Sequence, residues 1–532
     1  MVTSPKSRKK RKRSRSRKFR QAVLGKPSGI IQPRVQDVGP EHFGVVAIDC
    51  AKARSKWLLA NFYGSVLVEP TVVEHDRVGF ELAIIKLREA VKRHAIKDVI
   101  VCIEMTGTYH KPVQRAFRKA GFETRIVHPF ASSHYRMPEH GDVKTDDNDL
   151  AAIFRAAVNG FGLVEKPVGP VYRELQILSR CRRDLVNKRS KLQCQIRHHL
   201  EHSLPGFAAL FRGNDLWSQA TPLPLLQAIA DHGATAQMIV EAGARGLRKW
   251  LAEADVKRVH QATLERAVAW AANAAAHDEM ATAYARVWQT LLRDWKAKQA
   301  EILELERDLA SLLVQTPYLL LLSYPGISVV SAAELAAETG PMENYASPRA
   351  ISGRAGLFPS RYQSDQVDRG GNLSRYRNAR MRAAWMLVAA NMVKCNMYWQ
   401  AKVARWNVGG AEPRDIRVRI ANRLTRVIYR MVLGGELYQH PSRLDRMYVM
   451  DKLMSFLQDR KASPGNIVRM LESAAEQIPA GERQEEAKPL LAAYQKSKRS
   501  RRKAPQQLGT LLVGVLAKFG ITSLDEEILE SS

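Results

Sequence analysis

Four acidic residues crowd into the stretch GDVKTDDNDL, residues 141–150: Asp142, Asp146, Asp147 and Asp149. An apolar, alanine-rich run follows, which predicts a helix with Thr145 as its N-cap and acids in its first turn, where the helix dipole favours them. A well-capped helix is by itself the simpler explanation. The three-residue spacing of Asp146 and Asp149 also places both carboxylates on one helix face, within reach of a shared metal ion. A hard divalent cation needs clustered carboxylates, so this stretch becomes a site if further acids converge on it.

Two further acids end predicted strands upstream of this helix. The apolar segment FGVVAID ends in Asp49, and the segment DVIVCIE ends in Glu104. With a hairpin formed by KWLLANF and SVLVEPTVV, the order is strand, hairpin, helix, strand, helix, strand, helix, which is typical of a ribonuclease H-like fold. Functional groups in open sheets lie at the carboxyl ends of strands, so Asp49, Glu104 and the acidic helix are expected at one edge. One acid after a strand is usually turn chemistry, whereas four acids in this order indicate a site.

The charge of the chain indicates a polyanionic partner. Its 532 residues carry a formal net charge of +30, which favours nucleic acid over an anionic membrane. No apolar run reaches transmembrane length, and the N-terminus lacks the apolar core of a signal peptide. The five cysteines are scattered without CxxC or zinc spacing, which favours a reducing compartment and no structural metal. We therefore expect a cytoplasmic, nucleoid-associated protein.

The predicted fold class is α/β plus all-α, in five parts. The first part contains the run KSRKKRKRSRSRKFR, which is too charged to bury a core. Such a run is typical of an RNA- or DNA-binding arm or of a nuclear localisation signal. The predicted parts are a basic disordered arm (1–42), the ribonuclease H-like domain (43–165), coiled-coil arms with a helical insert (166–316), a mostly helical, serine-containing domain (317–441) and a basic C-terminal extension (442–532).

Two long helices are expected to form the coiled-coil arms. Apolar residues fall on a heptad seam in each, for example Leu178 and Leu185 in the first and Leu305 and Leu312 in the second. The two helices could pair within one chain as an antiparallel hairpin, or with a second protomer. The first helix is strongly basic, and its cations form either a charged coiled-coil surface or a stripe that contacts phosphates. The sequence favours neither explanation for its candidate contacts, Arg180, Arg183 and Arg189.

A third informative block surrounds the segment AGLFPSRYQS. Upstream of it, the turn PGIS precedes an alanine-rich helix and is similar to the turn of a helix-hairpin-helix element, in which backbone N–H groups hold a DNA phosphate. Gly326 of this turn is a candidate nucleic-acid contact. Downstream, NLSRYRNARMR contributes two further candidates, Arg375 and Arg382. A serine in a polar, glycine-rich loop usually serves turn chemistry, and the hydroxyls in this block belong to Ser360, Ser364 and Ser374.

The acids and the serine block together resemble a family of bacterial insertion-sequence transposases. These are the serine-containing, bridge-RNA-guided recombinases with a DEDD acid set in a RuvC-like domain, and the resemblance covers residues 43–441. The family's KTDxxDA is KTDDNDL here, and its PGIG, AGLxP and SKxGnxxLR correspond to PGIS, AGLFP and SRYRNARMR. The sequence departs from the pattern at Leu150, at Ser328 in place of the second glycine of PGIG, and at Asp365 in place of the glycine after the serine.

The resemblance implies a role for each matching residue. It implies that the four acids bind Mg²⁺ and that Ser364 is the attacking nucleophile; the acids are Asp49, Glu104, Asp146 and Asp149. Asp142 and Asp147 match no catalytic position and are expected to be solvated. Asp365 either helps to hold the metal or to orient the loop, or it is a tolerated replacement of the family's glycine that has no role.

The leading hypothesis is an RNA-guided DNA transposase or recombinase. It would cut and rejoin double-stranded donor and target DNA through a phosphoserine intermediate, with Mg²⁺ at the acids, a guide-type non-coding RNA and no membrane. The acids and the serine would form a composite site, within one protomer or between the protomers of a homo-oligomer, a dimer or a tetramer. One alternative is a metal-dependent junction nuclease whose acids activate water while Ser364 is turn chemistry. Another is a non-catalytic architectural protein that binds nucleic acid and whose acids only cap helices.

Overall fold

The computed structural model describes residues 29–136, 145–218, 221–254, 256, 259–274, 279–364, 367–438 and 446–478. Internal contacts divide the chain into two compact units, Met1–Pro167 (unit 1) and Val168–Ser532 (unit 2). Unit 1 is a mixed α/β unit with a sheet and unit 2 is rich in helices, which confirms the predicted class at this level. None of the described helices combines the length and apolar character needed to cross a lipid bilayer.

Unit 1 is organised around a six-stranded sheet with strands β1 (Phe43–Cys50), β2 (Arg54–Asn61), β3 (Val66–Glu74), β4 (Asp98–Glu104), β5 (Glu123–Val127) and β6 (Gly162–Val164). The strand order is β3-β2-β1-β4-β5-β6. The hairpin strands β2 and β3 are antiparallel to their neighbours, β4 and β5 run parallel to β1, and β6 returns antiparallel to β5. Apolar runs predict β1 to β5, whereas β6 is too short to leave such a pattern.

Helices cover both faces of this sheet: α1 (Gln32–Val38), α2 (Arg77–Arg93), α3 (His110–Lys119), α4 (Pro129–His134) and α5 (Asp146–Val158). Successive side chains of a strand point to opposite faces. Val45 and Ala47 of β1 accordingly pack in one cluster with Leu150 of α5. Val46 and Ile48 pack in another cluster, with apolar residues of α2 and α3. The acidic helix α5 therefore covers the face to which the odd-numbered residues of β1 point.

Residues 29–42, the end of the predicted disordered arm, are folded. Ile31 and Val35 are buried in the cluster beneath α5. Arg34 forms ion pairs with Asp98 at 2.6 Å and with Glu123 at 2.7 Å. This segment contains apolar residues and an arginine with two acidic partners, so it packs despite its basic surroundings. The basic run at residues 6–20 lies outside the described residues.

Unit 2 contains twelve described α-helices, several short 3-10 helices and one small sheet. The helices are α6 (Pro170–Ser203), α7 (Pro222–Asp231), α8 (Ala236–Glu253), α9 (Gln261–Ala272), α10 (Ala281–Leu313), α11 (Val329–Thr339), α12 (Pro348–Arg354), α13 (Ala379–Cys395), α14 (Met397–Val408), α15 (Pro413–Gly434), α16 (Arg446–Asp459) and α17 (Pro464–Gln477). The sheet pairs β7 (Pro359–Ser364) with β8 (Val367–Leu373) in antiparallel fashion.

The two long helices α6 and α10 lie antiparallel within one chain. Near the start of α6, Arg182 Nε donates to Glu306 Oε1 near the end of α10 at 2.7 Å. At the other end, Trp288 Nε1 of α10 donates to Ser203 Oγ of α6 at 2.9 Å. Of the two arrangements that the sequence allows, the structure therefore contains the intrachain pair. Helices α7, α8 and α9 form a separate apolar cluster with one end of this pair.

The main core of unit 2 joins the other end of this pair to α11, α13 and α15. The first part of the predicted C-terminal extension belongs to the same core, since Leu453, Leu457 and Leu471 of α16 and α17 are buried in it. Arg460 also donates to Glu306 Oε2 at 2.9 Å. Residues 446–478 are thus an integral part of unit 2, and the basic segment KSKRSRRK at residues 496–503 lies outside the described residues.

Candidate active site

Asp49 and Glu104 lie side by side at the carboxyl ends of adjacent parallel strands. Strands β1 and β4 are paired with Ile48 opposite Ile103, and the two acids come one residue later. Asp49 is in phase with Val45 and Ala47, and Glu104 is in phase with Ile100 and Cys102; all four apolar residues belong to the cluster beneath α5. Since strand side chains alternate with a period of two, both carboxylates point to the α5 side of the sheet.

Helix α5 begins at this edge, and its N-cap is the predicted one. Thr145 Oγ1 accepts a hydrogen bond from Asn148 N at 3.3 Å. The helix packs against β1, β2, β4 and β5. Asp146 is exposed in its first turn, whereas Asp149 is buried, with 6% of its surface exposed. Arg136 Nε donates to Asp149 Oδ1 at 2.8 Å, so this buried carboxylate has a cationic partner.

Three residues around the acids have no signal in the sequence motifs. Lys56 of β2 lies opposite Asp49, and its ammonium group pairs with Asp147 at 2.6 Å. Asp147, expected to be only solvated, is therefore both partly exposed and ion-paired. Ser132 of α4 donates a short hydrogen bond to Glu104. Arg136 is the third of these residues.

The donor chemistry of the four acids suits a hard cation, because Mg²⁺ prefers carboxylate oxygens. Within the described stretches, however, no group of three or more His, Cys, Asp or Glu side chains is arranged to hold a metal ion. The structure brings Asp49 and Glu104 to one edge and α5 to the same face, while Arg136 holds Asp149. Burial raises the pKa of the neighbouring Cys50 thiol to about 12, with the Asp49 and Glu104 charges adding to the shift. Cys50 also packs with Val46 and Ile48 on the opposite face of the sheet, so its side chain points away from the acids.

Ser364 is the last residue of β7, at the tip of the β7–β8 hairpin. It is exposed and pairs with Val367 across the hairpin. The block was expected to form a polar loop, and it instead forms two short strands. Asp365, the next residue, lies outside the described residues, as does Asp142 near the acidic helix.

The two competing hydroxyls in this block serve the backbone. Ser360 Oγ donates to Asn372 O across the hairpin at 2.9 Å. Ser374 is buried, and its hydroxyl accepts from Tyr376 N at 3.2 Å. Both side chains therefore stabilise the hairpin and the turn that follows it.

The arginines proposed for α6 are engaged by other residues of unit 2. Arg180 forms two hydrogen bonds with the buried Glu338 of α11, at 2.8 and 2.9 Å. Arg183 pairs with Glu334, which is also buried and lies four residues before Glu338 on α11. Arg189 donates to Gln299 of α10 at 2.6 Å. These contacts favour the helix-packing explanation of the basic helix over the phosphate-contacting one.

The other proposed nucleic-acid contacts differ in their environment. Gly326 has φ +97° in the turn before α11, and an added Cβ would meet the Met392 side chain at 2.8 Å, so the turn requires glycine. Arg375 is exposed. Arg382 donates to the carbonyls of Ala355, Gly356 and Ser374 at 2.6 to 2.9 Å, and burial lowers its pKa. Arg382 therefore holds the AGL turn and the start of α13 together.

Two family models match the chain. A model described as a transposase, of the DEDD type named for IS110, matches residues 46–205, which include all four candidate acids. A second model, described as the transposase IS116/IS110/IS902 family, matches residues 318–404, which include Ser364. No curated protein matches the chain. Both matches fall on the two regions that carry the candidate site residues. The chain therefore carries two transposase regions of the IS110 insertion-sequence family, which support an enzyme that acts on DNA in transposition and recombination.

Proposed function

We propose that this transposase cuts and rejoins double-stranded DNA through a phosphoserine intermediate at Ser364. Mg²⁺ is held by Asp49, Glu104, Asp146 and Asp149, and a non-coding RNA selects the donor and target DNA. The protein acts as a homo-oligomer. The net charge of +30 supports a partner with many phosphates. The RNA itself rests on the family resemblance.

The strand order supports a ribonuclease H-like fold for unit 1. A hairpin antiparallel to β1, with β4 and β5 parallel to it, is the arrangement expected for that fold. In this arrangement the carboxyl ends of β1 and β4 are neighbours, and β5 is followed by α4 and by α5, which covers the face to which the two acids point.

The observation that carries the metal proposal is the shared direction of Asp49 and Glu104. Both carboxylates project from adjacent strand ends towards the face that α5 covers. Bound there, Mg²⁺ would supply Lewis acidity and charge neutralisation at the attacked phosphate. Asp149 already has a cation at its carboxylate, the Arg136 guanidinium, so a metal ion would take over part of an existing electrostatic role.

Ser364 is favoured as the nucleophile because its competitors are occupied. Its side chain is exposed at the hairpin tip, whereas those of Ser360 and Ser374 bond to the backbone. In the proposed step, Ser364 Oγ forms a bond to phosphorus and loses its proton to solvent. One phosphorus–oxygen bond to deoxyribose breaks, and the departing oxygen takes up a proton as a hydroxyl. One phosphodiester replaces another, so attack by a DNA hydroxyl can rejoin the strand without an external energy source.

The test is a denaturing gel of protein with labelled DNA and Mg²⁺. We expect label to remain on the wild-type protein and on the matched control Ser360→Ala, and to be absent from Ser364→Ala. Asp49→Asn and Asp146→Asn should each abolish cleavage while DNA binding is retained. Mass spectrometry of the trapped adduct after nuclease digestion should place the phosphate on Ser364.

Four outcomes would contradict parts of this proposal. Phosphate on Ser360 or Ser374 would move the nucleophile. Free nicked product without an adduct would indicate a metal-dependent nuclease. Absence of both the adduct and the nicked product would indicate an architectural protein. To test the RNA, copurified RNA is removed from the protein with a nuclease. Cleavage should then be lost and should return only when the RNA is added back. Cleavage without the RNA would show that no RNA guide is needed.

A further inference from the structure

Four arginines form a row along the outer face of α15. Arg419, Arg423, Arg426 and Arg430 are spaced by four, three and four residues, which places them on one face of a helix. All four side chains are exposed. The opposite face carries buried residues of the unit 2 core, among them Ile420, Leu424 and Ile428. We call these four residues the arginine row.

The arginine row has few acidic partners within unit 2. Among the described residues, no carboxylate forms an ion pair with Arg419, Arg423 or Arg426. Arg430 contacts Glu436 at 3.8 Å while its side chain remains 75% exposed. Such a long, exposed contact contributes little to stability. The four positive charges are therefore available to an external anion.

The first two arginines of the row are held by an aromatic ring. The guanidinium carbon of Arg423 lies 5.0 Å from the centre of the Trp406 ring of α14, and that of Arg419 lies 6.0 Å away. Cation–π contacts at these distances restrain the side chains without neutralising their charge. The row is thus partly ordered before a ligand binds, which lowers the entropy cost of binding.

Helix α15 is attached to the β7–β8 hairpin that carries Ser364. Asn422 Nδ2 donates to Leu357 O, just before β7, at 2.5 Å. At the start of α15, Arg414 reaches Asn372 Oδ1 of β8 at 3.5 Å. A strand bound along α15 would therefore extend towards the hairpin.

The surrounding segment is strongly basic. Residues 375–430 contain thirteen lysines and arginines and only two acids, Glu412 and Asp415. All of α15 lies beyond the residues matched by the second family model, which end at 404. Neither family match therefore assigns a role to this surface.

We propose that the arginine row binds the phosphate backbone of the duplex DNA whose strand reaches Ser364. This inference rests on the proposed function for the identity of the DNA. The row spans about 16 Å at about 1.5 Å per helical residue. That length corresponds to about five phosphates of one strand at about 3.4 Å of axial rise each. Arginine suits this role because its planar guanidinium group can bind phosphate oxygens in pairs.

The experiment measures DNA binding in the Ser364→Ala background, where no strand transfer can change the ligand. The probe is a labelled DNA duplex, and its affinity is measured over a range of salt concentrations. The row variant replaces Arg419, Arg423, Arg426 and Arg430 with Gln. The matched control replaces four exposed arginines elsewhere in unit 2 with Gln: Arg245, Arg266, Arg286 and Arg293.

We expect the row variant to bind the duplex about tenfold or more weakly at moderate salt. The slope of log K against log salt should flatten by up to about 3.6, at about 0.9 for each phosphate that the protein no longer neutralises. The control variant should change much less, although it loses the same charge. Lys at all four row positions should keep most of the slope, and the single variants Arg419→Gln and Arg426→Gln should each show a fraction of the effect in a folded protein.

Two results would overturn the inference. Equal losses in the row and control variants would mean that net charge alone acts and that the row is no site. A loss confined to a labelled RNA of the same length would assign the row to RNA instead of DNA. If the Ser364 adduct is absent but the row-specific loss of duplex binding remains, the proposed chemistry fails while the binding surface stands.

Discussion

Lys56 links the acidic helix to β2, the strand beside Asp49. It lies directly opposite Asp49 in the β1–β2 pair, where side chains of facing residues are close neighbours. Its ammonium group binds Asp147 in the first turn of α5, and its side chain is only 26% exposed. Asp146 and Asp149 flank Asp147 in sequence. Lys56 thus fixes the start of α5 near the strand ends and is a positioning residue in the proposed site.

Lys56→Met and Asp147→Asn should both weaken metal binding without removing a metal ligand. Outer residues that orient ligands typically account for about 10-fold or more in metal affinity. We therefore expect the Mg²⁺ concentration for half-maximal cleavage to rise by about that factor, with a smaller change in the rate at saturating Mg²⁺. The double variant should be no worse than either single one, because both substitutions remove the same ion pair.

Lys92→Met, at an exposed position of α2, is the control and should leave the Mg²⁺ dependence unchanged. If the Mg²⁺ dependence of Lys56→Met were unaltered, the ion pair between Lys56 and Asp147 would be a surface contact without a role in metal binding.

The sequence singles out the candidate acids but not their partners. Asp49 and Glu104 stand out because each ends an apolar strand. Lys56 has no such signal, because its importance depends on the register of β2 against β1. Arg136 and Ser132 likewise become visible only when α4 and α5 are folded over the sheet.

At the scale of single elements, Ser328 explains one departure from the family pattern. It is the N-cap of α11 in a capping box: its hydroxyl accepts from Ser331 N at 3.2 Å, and Ser331 Oγ accepts from Ser328 N at 2.8 Å. The family's glycine leaves the helix end without a side-chain cap. Here a serine satisfies the backbone N–H groups that a helix start leaves unpaired.

Ser328→Ala should therefore lower the free energy of unfolding by about 1 kcal/mol, whereas Ser328→Gly should cost only about a few tenths. Urea unfolding followed by the helical signal measures both. Ser347→Ala is a matched control, since Ser347 precedes α12 without a capping side-chain bond. Equal costs for the Ala and Gly variants would contradict the capping role.

Elements with a strong periodic pattern are predictable, and elements defined by distant partners are not. Strands β1 and β4 follow from apolar runs. The β7–β8 hairpin is missed because its residues are polar and include Gly370 and Gly371, which favour a loop by composition. The basic face of α6 remains ambiguous in the sequence because its partners Glu334 and Glu338 lie far along the chain.

At the scale of the whole molecule, one buried carboxylate joins three segments of unit 2. Glu306 of α10 is 4% exposed and binds Arg182 of α6 and Arg460 beyond α16. Removing one partner from a buried charge arrangement leaves the others uncompensated in a medium of low dielectric constant.

Glu306→Gln should destabilise unit 2 by about 3 kcal/mol or more, because two arginines lose their counter-charge. Glu304→Gln, two residues earlier and exposed, should change the free energy of unfolding by less than about 0.5 kcal/mol. Urea midpoints of the two variants provide the comparison. Similar midpoints would show that Glu306 is solvated in the folded protein.

The position of Arg460 in the sequence also determines when, during translation, the ion pair with Glu306 can form. A ribosome adds this residue 154 positions after Glu306, which takes about 8 to 30 s at about 5–20 residues per second. Until then, the nascent chain holds a half-neutralised carboxylate and the uncovered apolar surface on which α16 and α17 later pack. Transiently exposed apolar surface is prone to aggregation, so we expect the nascent chain to be vulnerable to it during this interval.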